Sequence, residues 1–275
     1  MTAPQSVNWA PWVFGDEGVP LDDPAETYHE ASRISSVMID PHVRGAALLD
    51  RSAELRATVT RASARRHNKA SVPLPPSAPL ELSLGEAIAA RRSNRAHTGD
   101  AMSLAQLGSI LRAGYGVTGS APDGAPLRAV PSGGALFPLD LYAACSHVVG
   151  LGCDLHHYDP LRDALGLVRS FAPAELERLT PAPGAIRDAA AIVLVSAAFW
   201  RARFKYGQRG YRFALLEAGH VAQNILLAAT ALGFACVPLG GFFDRQVNDF
   251  LELDSLHDAA LYVIPIGLPD AGTPA

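Results

Sequence analysis

Cysteine is scarce in this chain: three residues among 275, at Cys145, Cys153 and Cys236, with no Cys-x-x-Cys pair. That pattern argues against a disulfide framework or a zinc knuckle. Charge is sparse as well. Only 18% of residues are charged, and 23 Lys+Arg against 27 Asp+Glu leave a formal net charge of −4. Such a chain lacks the broadly basic surface that non-specific nucleic-acid binding requires. No basic start followed by an apolar run opens the sequence, so no secretory signal is expected. The one long apolar stretch, 213–235, carries Glu217, His220, Gln223 and Asn224 at its centre, groups that are expensive in lipid. It reads as a buried core helix in a cytoplasmic protein with no membrane or nucleic-acid partner. Apolar side chains, by contrast, make up 49% of the chain. A folded chain of this mass buries about 73% of its unfolded surface, enough for a core without metal or disulfide support.

Three regions separate on composition. Residues 1 to about 39 are irregular, with Trp9 and Trp12 near the start; residues 42–69 carry seven basic side chains, from Arg44 to Lys69. The latter segment reads as one or two exposed helices. Residues 72–79, VPLPPSAP, form an extended proline-rich connector. The expected organisation is an N-terminal extension, 1–79, followed by a body, 80–275. Within the body, Ser83-x-x-Glu86 and Ser103-x-x-Gln106 are capping boxes that start helices. The first helix is expected to run to about Arg92 and the second to close at Gly114. Strands are expected at 140–148, 192–199 and 261–266, with a long helix from about Arg212 to Leu232 stopped by Gly233. The alternation predicts an α+β fold: a mixed sheet covered by helices.

Five segments could carry chemistry. Arg91, Arg92, Ser93 and Arg95 bring three guanidiniums and a hydroxyl to a helix end, a set suited to phosphate, although arginine there also complements the helix dipole. Pro131, Ser132, Gly133 and Gly134 form a tight turn in which paired glycines let backbone approach a flat or anionic ligand. It matches neither a P-loop nor a Rossmann fingerprint. The run 201–212 holds five basic residues and no acid, either a solvated loop or an anion-binding surface. Within it Lys205 and Tyr206 are general acid/base types. Glu217-x-x-His220 places a carboxylate and an imidazole on one helical face, but no second such pair exists, so no metal is expected. Pro238, Leu239, Gly240 and Gly241 form a second glycine pair after the long helix.

The order of these segments is more specific than any one of them. Arg-Arg-Ser-x-Arg, Pro-Ser-Gly-Gly-Ala-Leu-Phe-Pro, Lys-Tyr-Gly-x-Arg-x-Tyr-Arg, Leu-Leu-Glu-Ala-Gly-His-Val-Ala-Gln-Asn and Pro-Leu-Gly-Gly-Phe follow one another along the chain. The series resembles the nitroreductase superfamily, and within it the SagB-type FMN-dependent dehydrogenases. The likeness covers about residues 80–268, and Tyr28-His29-Glu30 and His157-Tyr158-Asp159-Pro160 are similar to segments of that subgroup.

The resemblance implies a homodimer with a nitroreductase-like fold, FMN at each subunit interface and the long helix central to the dimer. Arg91, Arg92, Ser93 and Arg95 would hold the phosphate and ribityl chain. Pro131–Gly134 would meet the flavin from the partner subunit, and Pro238–Gly241 would line one ring edge. Lys205 and Tyr206 match the lysine–tyrosine pair with which azoline-oxidising members remove a proton. One departure is visible: no lysine or arginine follows Arg245, so the phosphate charge falls to residues 91–95 or 201–212. The implied activity is oxidation of a thiazoline or oxazoline intermediate to the azole, with oxygen reoxidising the flavin. The substrate would be a peptide, a carrier-bound chain or a small molecule, and a biosynthetic partner enzyme is possible. An NAD(P)H-dependent nitro or quinone reductase, and a binding protein that has lost FMN, are the alternatives.

Overall fold

In a computed structural model of the chain the described residues are 23–33, 44–52, 54–55, 70–122 and 124–270. They fall in two compact units, Met1–Pro41 and His42–Ala275. In the first, helix α1 (Pro24–Ala31) begins where Asp23 accepts from the N–H groups of Ala25 and Glu26 at 2.8 and 3.0 Å. A proline in the first turn gives up no needed donor there. Tyr28, His29 and Glu30 lie on α1. Trp9 and Trp12, and the basic residues Arg56 to Lys69, lie outside the described residues.

The second unit is built on seven strands: β1 (Ser71–Pro73), β4 (Leu139–Cys145), β5 (Asp154–Asp159), β6 (Ala164–Ser170), β7 (Ala191–Ala198), β8 (Ala235–Cys236) and β9 (Asp258–Gly267). Their order across the sheet is β1-β6-β5-β4-β7-β9-β8, and β2 (Val117–Ser120) and β3 (Pro126–Arg128) form a separate hairpin. All pairings between these strands are antiparallel. Parallel pairing enters through isolated bridges, Ser93 with Cys236 and Met102 with Val148, so the expected mixed sheet is mixed at those points alone among the described residues. Pro73 is tolerated because β1 is an edge strand, where a missing donor faces no partner. The proline-rich connector thus begins inside the sheet.

The central strands are buried on both faces, and period-2 alternation divides their side chains. Leu141, Ala143, Val193 and Val195 face α4 (Leu104–Tyr115) and α7 (Gln208–Ala231), packing with Ile110, Leu111, Ala218 and Ile225. Tyr142, Ala144, Ile192 and Leu194 face the other way, against α5 (Pro173–Glu177) and α8 (Asp244–Phe250). Both capping boxes form, at Ser83 for α3 (Leu84–Ala90) and at Ser103 for α4. The α3 helix ends at Ala90, slightly short of Arg92. Gly114 does not cap α4, which continues to Tyr115. A Cβ at Gly114 would lie 2.7 Å from Ile225 Cγ1, so glycine there permits α4 and α7 to approach closely. Gly233, at φ 78°, follows the end of α7 as expected. No helix among the described residues is long and apolar enough to cross a membrane.

Candidate active site

The strand register gathers three of the candidate segments at one end of the sheet. Leu139 at the start of β4 lies opposite Ala197 near the end of β7, which lies opposite Ala259 near the start of β9. Beyond β8, Leu239 bridges Val263. The turn entering β4, the helix α6 (Phe199–Tyr206) leaving β7 and the segment leaving β8 therefore emerge on the same side.

At this end the Pro131–Gly134 turn and the Lys205–Tyr206 pair come together within one chain. A Cβ built on Gly134 would lie 2.6 Å from Tyr206 Oη and 3.0 Å from Lys205 Nζ. The two polar ends are thus closer to each other than the sum of those distances. Gly134 has φ 66°, and the non-glycine residues Ala135 and Phe137 follow at φ 52° and 45°. Positive φ at residues with a Cβ is strained backbone of the kind concentrated at functional sites. The Tyr206 ring is fixed edge-on to Phe213 of α7, with centroids 5.0 Å apart, and Lys205 Nζ lies 5.4 Å from the Tyr206 ring centre.

The basic run 201–212 is neither a loop nor a uniform anion-binding surface. It forms the end of α6 and the start of α7, separated by Gly207 at φ 56°. Arg201 turns inward, only 4% exposed, and donates to Asp140 Oδ2 at 3.2 Å; His157 Nε2 lies 3.2 Å from Oδ1. Burial alone would raise the Asp140 carboxyl, but the Arg201 charge and the His157 hydrogen bond outweigh it and hold the group below its usual range. This buried group ties the first turn of α6 to β4 and β5, and so sets where Lys205 and Tyr206 stand.

A further wall comes from a segment expected to be exposed. Helix α2 (Arg44–Arg51) packs on α6 with Gly45 against Phe204, leaving no room for a Cβ. Leu49 is buried in a cluster with Leu136, Leu55, Phe204 and Tyr206. Gly45 and Leu49 are one helical turn apart, so the i, i+4 spacing of a small and an apolar residue was the legible signal. The density of arginine around it obscured that face.

The remaining candidates cluster at the β8 edge. Ser93 bridges Cys236, and the Asn94 N–H donates to the Cys236 carbonyl at 3.1 Å. Arg92 turns back to the carbonyls of Ala89 and Arg91, each at 2.9 Å, as a residue terminating a helix does. Arg91, Arg92 and Arg95 form no ion pair among the described residues. Open space surrounds Gly240 and Gly241, where an added Cβ would meet nothing within 4 Å. Beside them runs a groove of about 730 Å³ lined by Tyr211, Gly240, Phe242, Arg245, Asn248 and Leu261, among others. In one chain this edge stands three strand positions from β4, about 14 Å. Of the Glu217-x-x-His220 pair, Glu217 is buried and His220 exposed.

A sequence profile of the group described as the nitroreductase family matches residues 88–268. A Methanocaldococcus jannaschii protein that carries the name nitroreductase is 32% identical over 193 residues, 68% of this chain and 91% of its own length. The microcin B17-processing protein McbC of Escherichia coli is 34% identical over 158 residues, 52% of this chain and 56% of McbC. A solved structure from Anabaena variabilis, also named as a nitroreductase, superposes with a TM-score of 0.64 at 28% identity, over 74% of this chain and 43% of that one. The chain thus spans little more than half of McbC and less than half of the Anabaena protein.

Proposed function

The chain belongs to the nitroreductase family of oxidoreductases, and from that premise we propose that it is an FMN-dependent dehydrogenase of the SagB type. On this reading it oxidises a thiazoline or oxazoline in a biosynthetic intermediate to the azole. The observation that carries the reading is the approach of Gly134 to both Lys205 Nζ and Tyr206 Oη, at the sheet end that also bears the open Gly240–Gly241 loop. The partial relationship to a microcin-processing protein supports the choice of substrate class.

The residues present fit FMN. Arg91 and Arg95, without acidic partners among the described residues, and the exposed Ser93 would hold the phosphate and ribityl chain together with Arg92. Pro238, Leu239, Gly240 and Gly241 would line one ring edge, where no Cβ obstructs close approach at the two glycines. A second copy of the chain would bring its Pro131, Ser132, Gly133 and Gly134 to that site, spanning the separation between the two clusters. The apolar side chains left exposed on α3 and α7, Leu84, Ile88, Leu215 and Leu216, supply surface for such a homodimer.

Aromatising an azoline removes one hydrogen from each of two neighbouring ring carbons, one as a proton and one as a hydride. When bound, FMN would take the hydride and pass the electrons to molecular oxygen. Lys205 Nζ or Tyr206 Oη takes the proton. The absence of a side chain at Gly134 keeps both ends free, and the buried Asp140–Arg201–His157 group holds α6 still while they act.

The test begins with a visible absorption spectrum after incubation with FMN and desalting; retention near one flavin per subunit is expected, and a colourless protein refutes the reading. Anaerobic addition of an azoline peptide should then bleach the flavin, and Lys205→Ala should abolish that bleaching. The Methanocaldococcus relative supports a second reading, an NAD(P)H-dependent reductase of nitro compounds or quinones. Rapid bleaching by NADPH with none by the azoline peptide would establish the second in place of the first.

A further inference from the structure

Behind the Pro131–Gly134 turn lies a buried carboxyl that the proposed chemistry does not use. Glu217, on α7, is 3% exposed, and the Tyr115 hydroxyl of α4 donates to its Oε1 at 2.6 Å. The Tyr115 oxygen in turn accepts from the Leu139 N–H at 3.2 Å. Ser132 Oγ accepts from the Phe137 N–H at 2.9 Å. Glu217 Oε2 makes no close hydrogen bond among the described residues, yet Ser132 is near enough to favour the ionised form. The carboxyl therefore stands behind the Leu139 donor through Tyr115, and lies near Ser132, which accepts from the Phe137 donor.

The turn needs such a hold, because Ala135 and Phe137 keep positive φ, which persists only where surrounding contacts over-determine it. Phe137 lies edge-on to Tyr115 with centroids 6.1 Å apart, and the Arg128 guanidinium sits 4.2 Å and 4.7 Å over the two rings. The same turn delivers Gly134 to Lys205 and Tyr206.

We propose that Glu217 is a positioning residue: through its hydrogen bond with Tyr115, and with Ser132 close by, it holds the 131–139 turn in its strained form, and so keeps Gly134 against Lys205 and Tyr206. The proposal rests on the reading of that pair as the proton-handling groups. The titratable and charged groups around the carboxyl are Tyr115 from α4 and Arg128 from β3, with the Ser132 hydroxyl from the turn; Lys205 and Tyr206 of α6 meet the turn at Gly134, and His220 on α7 is exposed. Burial raises the Glu217 carboxyl to about 7, against the opposing pull of Ser132, Tyr115 and Arg128. An ionised carboxyl accepts hydroxyl protons more strongly and polarises the bonds beyond them, so the grip on the turn tightens as pH rises through about 7.

The experiment measures amide hydrogen exchange at Phe137 and Leu139 in the full chain, with and without FMN, as protection relative to unstructured rates at each pH. The wild type should gain protection through about pH 7, and E217Q should lose that step and exchange about tenfold faster above it. Y115F should free the Leu139 amide while sparing Phe137, and it serves as the second variant should E217Q fail to fold. In turnover, E217Q should lose a kcat inflection near pH 7 with KM little changed. Unchanged protection in E217Q overturns the proposal. So does lost protection with an unaltered kcat–pH profile, which would make Glu217 a packing group alone. Full azoline turnover by Lys205→Ala would refute the parent reading separately, without touching the exchange result.

Discussion

Gly134→Ala separates what the backbone demands at the turn from what the neighbouring side chains demand. Gly134 has φ 66°. A non-glycine residue held in the left-handed region costs about 1–2 kcal/mol. Gly150 offers a control, because it has φ 86° and nothing within 4 Å of an added Cβ. G150A should therefore show the backbone effect alone, a Tm lowered by about 2–8 °C for a domain of this size. G134A carries the same effect and adds a methyl 2.6 Å from Tyr206 Oη and 3.0 Å from Lys205 Nζ. Both atoms are ends of flexible side chains, so they yield and the Tm should fall about as far as in G150A. They yield by displacement from the place where a substrate proton would be met. A misplacement of about 1 Å at a reacting group lowers turnover by about 100-fold. Thermal unfolding of both variants, followed by azoline turnover at matched flavin content, makes the comparison. G134A turning over as fast as G150A would refute the assignment of the turn to the site.

The buried ion group makes a stability prediction: Asp140→Asn removes the carboxylate that pairs with Arg201 and should cost about 3–5 kcal/mol in denaturant unfolding. Its pH dependence follows from a carboxyl held below its usual range: the stabilisation is full above about pH 3.9, the unfolded value, and is lost as pH falls through the lower folded one. His156 adds to the loss on acidification at a higher pH, because burial lowers its pKa and the folded ring stays neutral while the unfolded ring takes a proton near pH 6.5. Stability should therefore decline as pH drops below about 6.5, and His156→Leu should lessen the Tm difference between pH 7.5 and 5. Gly114→Ala should destabilise by about 1–3 kcal/mol through its contact with Ile225 Cγ1, and should cost less in an Ile225→Ala background, which lacks that atom.

Elements with strong local chemistry were legible in advance. The capping boxes at Ser83 and Ser103 satisfy donors within their own first turns, so their hydrogen bonds involve no distant residue. The continuous apolar runs of β4 and β7 and the length of α7 identified the buried centre in the same way. β5 and β6 are not marked by period-2 patterning, because their sequences, DLHHYD and ALGLVRS, do not alternate cleanly. A buried histidine at 157 is tolerable there because a neighbouring strand supplies the Asp140 carboxyl beside it.

For the candidate site, the amino-acid order alone determined which residue types were present and that they formed a family-like series. It could not determine which of them meet. Gly134 and Lys205 are distant in sequence and come close only because β4 and β7 pair with Leu139 opposite Ala197. Arg201 was indistinguishable from its basic neighbours until folding placed Asp140 beside it. The same holds for Gly114, a plausible cap by local pattern that the approach of Ile225 turns into a packing residue. Capping and hydrophobic periodicity are short-range properties, encoded within a few residues; burial, ion pairing and close backbone approach depend on groups that only the closed sheet and its helices bring within a few ångströms.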